Sequence, residues 1–478
     1  MSLRSRVATA AADAATWASR KTGRGAGGMI GGLIAGAIDP NLLANLGGQR
    51  PVALITGTNG KSTTTRMMTA AVRTTGSVCT NEGGDNMDAG VISALLSSRD
   101  AEHVILEVDE LHVPAIAEKL DADVLVLLNL SRDQLDRVGE INKIERALRA
   151  CVEARPSMTV VANCDDVQVT SVAWDSPNVV WVSAGAGWVG DSTSCPRTGG
   201  SIIQDGQEWY ATKKLPDGRE FRRPTPQWTV TDEGLRGPDS QLRPLNLKLP
   251  GAANRGNALQ ALVGALELNP AVQVDRAIEQ IERVDNVAGR YSTVQFGTHQ
   301  VRLMLAKNPA GWQEALSMVD RTADSLVISV NGQVADGQDL SWLWDVKFEK
   351  FESQYVVAAG ERGTDLAVRL GYASVVHDLV KDTVEAIKQC PPGRVEVLAN
   401  YTAFRDLKRV LDREGTVIDS SETDPRANNT TPVDPAADPA AGPSGDHARE
   451  ANHHPNAEPT TDHTRPTAPT TDHPTTKE

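Results

Sequence analysis

Seven consecutive residues have the types and order needed to hold a nucleotide phosphate. Residues 57–63 read Gly-Thr-Asn-Gly-Lys-Ser-Thr, between an apolar run at 52–55 that predicts a buried strand and a segment at 64–72 that predicts a helix. Glycines let backbone N–H groups approach phosphate oxygens, and the N-terminus of a helix favours an anion. Lys61 would reach the β- and γ-phosphates, and the Ser62 hydroxyl would hold a magnesium ion. The predicted nucleotide-binding residues of this loop are Gly57, Thr58, Asn59, Gly60, Lys61, Ser62 and Thr63.

Two carboxylates follow a second apolar run. Glu107 and Asp109 lie at the end of a strand predicted at 103–108. Parallel α/β sheets bind ligands at the carboxyl ends of their strands, where a carboxylate can hold magnesium that bridges nucleotide phosphates. Because residues two apart point to the same side of a strand, Glu107 and Asp109 are alternative candidates for the metal.

The surrounding pattern is that of an α/β protein. From residue 52 to residue 183, short β-type runs alternate with helical ones, which predicts a parallel sheet. Strands are predicted at 52–56, 103–108, 123–128, 158–162 and 179–182. The clearest helices are predicted at 62–73 and 140–153.

The pattern changes after residue 185. Residues 185–245 are rich in Gly, Thr, Pro and Trp, and they predict an inserted β-ribbon. Helices are predicted after it at 254–268 and 272–284, and a second α/β unit begins at about Tyr291. Its strands are predicted at 291–296, 301–305, 325–330, 354–358 and 394–398, and its helices at 312–319, 364–370, 379–389 and 403–413.

Composition narrows the class of protein. The 478 residues allow two or three domains, and the formal net charge of −14 gives no global basic footprint for nucleic acid. Five cysteines without a Cys-x-x-Cys pair fit a reducing, cytoplasmic compartment better than a disulfide framework. The sequence has no run of about 18 apolar residues, the length that would span a bilayer.

The two ends of the chain differ from the rest. Five bases precede a glycine-rich apolar segment at 26–38; they are Arg4, Arg6, Arg20, Lys21 and Arg24. A signal peptide, a contact with an anionic membrane surface and a packed pair of helices remain alternatives for this region, although the glycines weaken a signal helix. After Ile418 there is no Leu, Ile, Met or aromatic residue, so we expect a disordered tail.

The phosphate loop G-T-N-G-K-S-T resembles the ATP-binding loop of the Mur ligase superfamily, whose members activate a carboxylate and join it to an amine. Further segments resemble the branch of this superfamily that amidates D-glutamate in the stem peptide of lipid II, the peptidoglycan precursor. These segments are 39–43, 80–87, 107–110, 132–137, 249–257, 289–291, 307–311, 335–337 and 341–345.

The resemblance implies a Mur ligase-like α/β fold with four parts. An N-terminal segment at 1–50 would precede a central P-loop domain at 51–289, which carries the β-ribbon insert at 185–245. A C-terminal Rossmann-like α/β domain would occupy 290–415, and the disordered tail 416–478. Only about 50 residues precede the loop, too few for the domain with which full Mur ligases hold a uridine nucleotide.

The insert departs from the pattern of its relatives. Many members of this branch have a four-cysteine zinc ribbon there, whereas this insert contains only Cys195, so a cysteine-based zinc site cannot form. The ribbon must therefore be held by packing. The aromatic residues available for its core are Trp188, Trp209, Tyr210 and Trp228.

The resemblance also implies roles, residue by residue. Lys61 and Ser62 match the phosphate-binding pair, and Glu107 matches the magnesium carboxylate. Asn254 and Asn257 match asparagines that contact the nucleotide from the helix after the insert.

Two more positions match family motifs, and two others depart from the pattern of many Mur ligases. Arg290 matches an arginine that helps to neutralise the transferred phosphate, and Asn308 matches the asparagine of a His-Asn-Pro element in which Lys307 replaces the histidine. Gln134 stands where many Mur ligases place a metal-binding histidine, which leaves a second metal open.

The ammonia source is expected to lie outside this chain. A glutaminase needs a nucleophilic cysteine on a tight turn, and none of the five cysteines lies in a Gly-x-Cys-x-Gly sequence. The resemblance implies a GatD-like glutamine amidotransferase subunit as partner, with an aspartate of the C-terminal domain completing the partner's Cys-His pair. Asp345 is the predicted residue, and Asp339 is the alternative.

The sequence therefore predicts an ATP- and Mg²⁺-dependent ligase that amidates the α-carboxyl of D-glutamate in lipid II through an acyl phosphate. An amino-acid-adding Mur ligase or folylpolyglutamate-type ligase is one alternative. A nucleotide-gated binding subunit without chemistry is another. Lipid II would bring the enzyme to the inner face of the membrane, where a peripheral contact is expected.

Overall fold

A computed structural model describes residues 3–22, 28–48, 50–81, 86–132, 140–185, 192–285, 291–337, 339–349 and 354–417. The tail predicted to be disordered lies outside these residues, apart from its first two positions. The first helices are α1 (Leu3–Thr22), α2 (Gly28–Ile38) and α3 (Leu42–Gly47). No helix within the described ranges is long and apolar enough to cross a membrane.

The N-terminal helices form a packed pair, one of the three alternatives for this region. Helix α1 packs on α2, and α2 packs on the later helix α5 (Asp88–Ser97). The glycines of α2 permit this close approach. A Cβ at Gly31 would lie 3.2 Å from the carbonyl oxygen of Ala12, and one at Gly32 would overlap the carbonyl of Ala89. A larger residue at Gly32 would therefore separate α2 from α5.

The central α/β unit follows. Its elements are β1 (Val52–Thr56), α4 (Lys61–Val72), β2 (Val78–Thr80), α5, β3 (His103–Glu107), α6 (Val113–Leu120), β4 (Val124–Leu127), α7 (Glu140–Glu153), β5 (Thr159–Asn163), α8 (Val167–Ala173) and β6 (Val179–Ser183). Strands β2, β3, β1, β4, β5 and β6 pair in that order, all parallel. Strand β1 is buried along its whole length because helices cover both faces of the sheet, which explains its unbroken apolar sequence.

The insert corrects one expectation from the sequence. Only β7 (Ile202–Asp205) and β8 (Glu208–Ala211) form a separate ribbon. Strands β9 (Trp228–Val230), β10 (Gly234–Arg236) and β11 (Leu242–Pro244) instead extend the central sheet, with Val182 paired in parallel to Trp228. The prediction of one ribbon over 185–245 is therefore wrong for its second half. The side chain of Trp228 is buried in the central core, and that burial aligns β9 with β6.

The core of the ribbon also differs in part from the expectation. Trp209 is buried as predicted, and its indole N–H donates to the carbonyl of Cys164 at 3.0 Å. Phe221 and Cys195 complete this small core, whereas the side chain of Tyr210 is 41% exposed. Trp228 packs in the central core instead. Trp188 lies outside the described residues.

Two helices, α9 (Ala252–Leu268) and α10 (Val274–Glu282), connect the insert to the second α/β unit. That unit contains β12 (Tyr291–Phe296), β13 (His299–Leu305), α11 (Pro309–Met318), β14 (Ser325–Ser329), β15 (Tyr355–Ala359), α12 (Gly363–Tyr372), β16 (His377–Leu379), α13 (Thr383–Gln389), β17 (Gly393–Ala399), α14 (Tyr401–Glu414) and β18 (Thr416–Val417). Its described strands pair in the order β16-β15-β14-β17-β13-β12-β18. The segment His377–Leu379 is an edge strand, so the helix predicted from residue 379 begins later. Asp382 sets that start, because its carboxylate accepts from the N–H groups of Val384 and Glu385.

Candidate nucleotide-binding site

The loop between β1 and α4 has the backbone that its glycines predict. Gly57 has φ of +145° and Gly60 has φ of +87°, conformations that favour glycine. A Cβ at Gly60 would also lie 2.5 Å from Oδ1 of Asn257. Helix α4 begins at Lys61, and Thr63 is buried in its first turn. The N–H groups of this first turn are available to an anion at the helix N-terminus.

Asn129, which follows β4, holds the loop in place. Its Oδ1 accepts from the N–H of Asn59 at 2.9 Å, and its Nδ2 donates to the carbonyl of Asn59 at 3.0 Å. Its own carbonyl accepts from the N–H of Thr58 at 2.9 Å. The sequence offered no specific signal for this role, since a lone asparagine after a strand is also a common helix cap.

Lys61 lies beside the mouth of the loop in a polar, half-buried setting. Its Nζ donates to the carbonyl of Gly57 at 2.5 Å and lies 3.5 Å from Oε1 of Glu110. Glu110 was not among the predicted site residues. The neighbouring Ser62 is partly exposed at the second position of α4.

The two carboxylates after β3 occupy different environments. Glu107 is buried, and Asn81 brackets its backbone, accepting from its N–H at 2.8 Å and donating to its carbonyl at 2.7 Å. Oε1 of Glu107 accepts from Nδ2 of Asn86 at 3.5 Å. Asp109 instead accepts from the N–H of Leu111 and so stabilises its own turn. Asp109 is thus used within its own turn, whereas the carboxylate of Glu107 accepts from a side chain of the neighbouring loop.

These residues fit a magnesium ion that is bound jointly by the protein and the nucleotide phosphates better than an ion bound by protein ligands alone. Among the described residues, no group of three or more His, Cys, Asp and Glu could hold a metal by itself. Mg²⁺ commonly binds through one or two protein oxygens and completes its shell with phosphate oxygens and water. The hydroxyl of Ser62 and the carboxylate of Glu107 are suitable ligands of that kind.

A cavity of about 300 Å³ lies beside the loop, between α9 and α11. This volume is at the lower end of the range of small-molecule sites. Asn257 lines it, and Nδ2 of Asn257 donates to Oδ1 of Asn254 at 3.3 Å. Asn254 in turn donates to the carbonyl of Pro250 at 2.6 Å. The two predicted nucleotide-binding asparagines therefore form one buried chain, with Asn257 at the cavity.

A buried ion pair connects the insert to a residue that lines this cavity. Nε of Arg223, at the end of the ribbon, donates to Oδ1 of Asp165 at 2.8 Å, and Asp165 lines the cavity. The two side chains are only 7% and 8% exposed. The other carboxylate oxygen of Asp165 accepts from the N–H of Gly185 at 2.8 Å.

The second α/β unit reaches the loop through Asn308. Oδ1 of Asn308 caps α11 by accepting from the N–H of Gly311 at 2.8 Å. The same side chain exchanges hydrogen bonds with the amide of Asn59, at 3.2 and 3.3 Å. Lys307, which precedes Asn308, lies over the ring of Tyr401 at 5.6 Å.

The two aspartates proposed for a partner's active site have different surroundings. Oδ2 of Asp345 accepts from Nη2 of Arg132 at 3.2 Å, and both side chains are about one-third exposed. Asp339 is exposed, and the N–H and hydroxyl of Ser341 lower its pKa below the ordinary value. Trp344, beside Asp345, is 56% exposed. It contacts Tyr372 edge-on at 5.2 Å.

Two predicted positions lie outside the described residues. They are Arg290, assigned to the transferred phosphate, and Gln134, which stands at the second-metal position. Of the others, Asn257 and Asn308 contact the phosphate loop, Asn254 contacts Asn257, and Glu107 lies on β3, the strand next to β1.

Comparisons with known protein families match both α/β units. The Mur ligase middle domain matches residues 55–188, and the MurT ligase C-terminal domain matches residues 305–404. The first match covers the phosphate loop and Glu107. The second covers Asn308 and Asp345.

Individual relatives match over most of both chains. The MurT subunit of lipid II isoglutaminyl synthase from Staphylococcus aureus (strain COL) is 27% identical over 79% of this chain and 91% of its own length. The corresponding subunit from Streptococcus pneumoniae is 26% identical over 78% of this chain and 90% of its own length. A UDP-N-acetylmuramoylalanine–D-glutamate ligase from Desulfitobacterium hafniense is 32% identical over 76% of this chain and 72% of its own length.

Solved structures support the same fold. A pseudomurein peptide ligase type C from Methanothermus fervidus superposes with a TM-score of 0.58, at 17% identity, over 76% of this chain and 79% of its own. MurF from Acinetobacter baumannii superposes with a TM-score of 0.54, at 16% identity, over 79% of this chain and 81% of its own.

A P-loop α/β unit joined to a second α/β unit, with a cavity beside the phosphate loop, is the architecture of an ATP-dependent ligase of the Mur type. The chain belongs to the Mur ligase family, and within that family it is similar to MurT subunits along most of its length. The fold class and the ligase activity predicted from the sequence are thereby confirmed.

Proposed function

We propose that this chain uses ATP to amidate the α-carboxyl of D-glutamate in the stem peptide of lipid II, giving D-isoglutamine. Ammonia would come from a GatD-like glutamine amidotransferase subunit. The observation that best supports this proposal is the similarity to MurT subunits of lipid II isoglutaminyl synthase along nearly their whole length. The two family models that match the chain cover both the phosphate loop and the Asn308 element.

The first step would transfer the γ-phosphoryl group of ATP to the α-carboxylate, forming an acyl phosphate and ADP. The N–H groups at the start of α4 and the ammonium of Lys61 would hold the phosphates. Magnesium, held by Ser62 and Glu107, would supply charge neutralisation at the phosphate oxygens. Lys61 would exchange its present contacts with Gly57 and Glu110 for the nucleotide.

The second step would join ammonia to the activated carbonyl carbon. The C–N bond forms, the bond from that carbon to the phosphate oxygen breaks, inorganic phosphate leaves, and the nitrogen loses a proton. Arg290 and Asn308 are proposed to hold the departing phosphate from the side of the second α/β unit. The contact between Asn308 and Asn59 supports this assignment, because it places Asn308 against the phosphate loop.

The partner's glutaminase site would take one residue from this chain. We propose Asp345, whose carboxylate would orient a partner histidine as the third member of a triad does. Its partial exposure and the exposed Trp344 beside it support an interface at this position, since Trp is enriched at interfaces. Asp339 is the alternative.

One competing function has support from a specific comparison. The match to the D-glutamate ligase of Desulfitobacterium hafniense is compatible with an enzyme that adds an amino acid, so that an amine replaces ammonia as nucleophile. The two functions differ in the nitrogen nucleophile that the enzyme requires for ATP turnover, ammonia in one and the amine of an amino acid in the other.

Reconstitution with a glutaminase subunit tests the proposal. Lipid II, ATP and glutamine should give an amidated stem peptide, identified by mass spectrometry, and ammonium chloride should replace glutamine and the partner. Phosphate release that requires an amino acid, with no amidated product, would favour the competing function. ATP binding without phosphate release under any of these conditions would favour a non-catalytic subunit.

A further inference from the structure

The N-terminal helix pair exposes several large apolar side chains to solvent. On α1 they recur at positions 3, 7 and 17, one side of the helix, and on α2 at positions 30, 33 and 34. We name this set the N-terminal apolar face. Its members and their exposed fractions are Leu3 79%, Val7 54%, Trp17 64%, Ile30 40%, Leu33 58% and Ile34 37%.

Other sides of the same helices make the contacts that hold the pair to the protein. On α1 these are small residues, including Ala8 and Ala12, which are almost completely buried. On α2 Gly31 faces α1, and Gly32 lies against Ala89 of α5. Small residues therefore make the close contacts of the pair, and the large apolar side chains are largely exposed to solvent.

The charge of this region opposes that of the rest of the chain. Residues 1–24 contain five bases and one acid, whereas the whole chain has a net charge of −14. The single acid, Asp13, forms an ion pair with Arg99 at 3.1 Å. Arg4 is close to the apolar face, and its Nε donates to the carbonyl of Ile38 at 2.5 Å. Positive charge thus borders an exposed apolar surface.

We propose that the N-terminal apolar face docks on an anionic lipid bilayer, with α1 and α2 lying on the membrane surface. Apolar side chains would enter the acyl boundary, Trp17 would lie at headgroup depth, and the exposed Arg4 and Arg6 would meet lipid phosphates. Helix α2, with 11 residues, is about 16 Å long, too short to span a bilayer core of about 30 Å. A second copy of this chain is a poorer partner for the N-terminal apolar face, because the basic N-terminal segments of the two copies would repel each other.

The docked helices would lie near the candidate site. Helix α2 rests on α5, and α5 begins two residues after Asn86, whose side chain contacts Glu107. This inference goes beyond the proposed function, because binding of the face to lipid does not depend on which carboxylate the enzyme activates. A bilayer contact on this side would bring a lipid-anchored substrate close to Glu107.

Vesicle co-sedimentation of the full chain tests the proposal. We expect binding to vesicles with a substantial fraction of phosphatidylglycerol, and at least about tenfold weaker binding to pure phosphatidylcholine vesicles or in high salt. The double variant Trp17→Gln/Leu33→Gln should weaken binding by about tenfold or more, and Arg4→Gln/Arg6→Gln should weaken it on anionic vesicles alone. Trp344→Gln is the matched control, because Trp344 is similarly exposed on the second α/β unit and should bind as the wild type does.

Three results would overturn the proposal. The first is absence of binding to anionic vesicles by the wild type. The second is unchanged binding by both double variants when circular dichroism and melting temperature show that they are folded. The third is light scattering in which Trp17→Gln/Leu33→Gln converts a dimer to a monomer while vesicle binding is unchanged, which would make the face a self-association surface. Lipid binding needs no turnover, so a failure here is distinct from a failure of the amidation assay.

Discussion

Asn59 and Asn308 exchange two amide hydrogen bonds, at 3.2 and 3.3 Å, although they are 249 positions apart in the chain. Asn59 belongs to the phosphate loop, and Asn308 caps the first helix of the second α/β unit. The pair thereby joins the loop that would hold ATP to the unit proposed to contact the departing phosphate. Because both side chains must donate and accept, the contact specifies two amides rather than any two polar groups.

Two substitutions at Asn308 separate its capping role from its contact with Asn59. Asn308→Ala removes both, and should cost about 1 kcal/mol of stability and about 2 °C in Tm. Asn308→Asp keeps an acceptor for the N–H of Gly311 but cannot donate to Asn59. We therefore expect Asn308→Asp to melt near the wild type yet lose roughly 10- to 100-fold in ATP turnover, because the two units would be misaligned. Scanning calorimetry and a phosphate-release assay measure the two effects. Full activity of Asn308→Asp would show that the Asn59 contact is incidental.

Lys61→Ala should abolish amidation while leaving the protein folded. The ammonium of Lys61 contacts only loop carbonyls and Glu110 in the described structure, and loss of such a side chain has a small effect on stability. Loss of a positive charge from the transferred phosphate should lower kcat on the order of 100- to 1000-fold. Lys61→Arg is a matched control for charge, and we expect it to stay impaired because a guanidinium is larger and planar. Wild-type turnover by a well-folded Lys61→Ala protein would exclude the assigned role.

Asp345→Asn should impair amidation that depends on glutamine and spare amidation driven by high free ammonia. The reason is that Asp345 would act in the partner's site, whereas the ATP site would be intact. Rates with the two nitrogen sources, measured in the complex with the glutaminase, give the comparison, and Asp339→Asn is the matched control. Equal loss with both sources would place Asp345 in the synthetase site. Loss only in Asp339→Asn would transfer the assignment to Asp339.

The native chain should resist alkylation by iodoacetamide at pH 8. All five cysteines are buried, and burial raises the pKa of Cys79 to about 11 and those of Cys151, Cys164 and Cys390 above the ordinary value. A raised thiol pKa lowers the fraction of reactive thiolate at pH 8, and burial also limits access. Mass spectrometry should find native protein unmodified and all five thiols modified after denaturation. Rapid labelling of one native cysteine would reopen the question of a nucleophile in this chain.

The elements that the sequence predicted best are those whose signal is local. Strand Val52–Thr56 and helix Glu140–Glu153 have the bounds expected from their patterns, because an apolar run and a regular amphipathic repeat are complete within one segment. The phosphate loop could be predicted equally well, since two glycines, a lysine and a helix start occur in seven residues.

The elements that the sequence did not predict depend on distant partners. Strands β9 to β11 have three residues each, and only the pairing of β9 with β6 distinguishes an extension of the sheet from a ribbon. Asn129 could be seen as a support of the loop only once β4 was placed beside β1, and Glu110 only once β3 was placed there. A single sequence contains no such register information.

The ion pair between Arg223 and Asp165 makes the ribbon and the nucleotide cavity share one carboxylate. If the position of Asp165 affects nucleotide affinity, thermodynamic linkage makes the effect reciprocal. An ordered ribbon would strengthen nucleotide binding by a certain free energy. The bound nucleotide would then stabilise the ribbon by the same free energy. We therefore expect amide hydrogens of the ribbon to exchange more slowly when nucleotide is bound, and Arg223→Gln to remove that difference. The stability of this small insert would then depend on the occupancy of a cavity that the insert does not enclose.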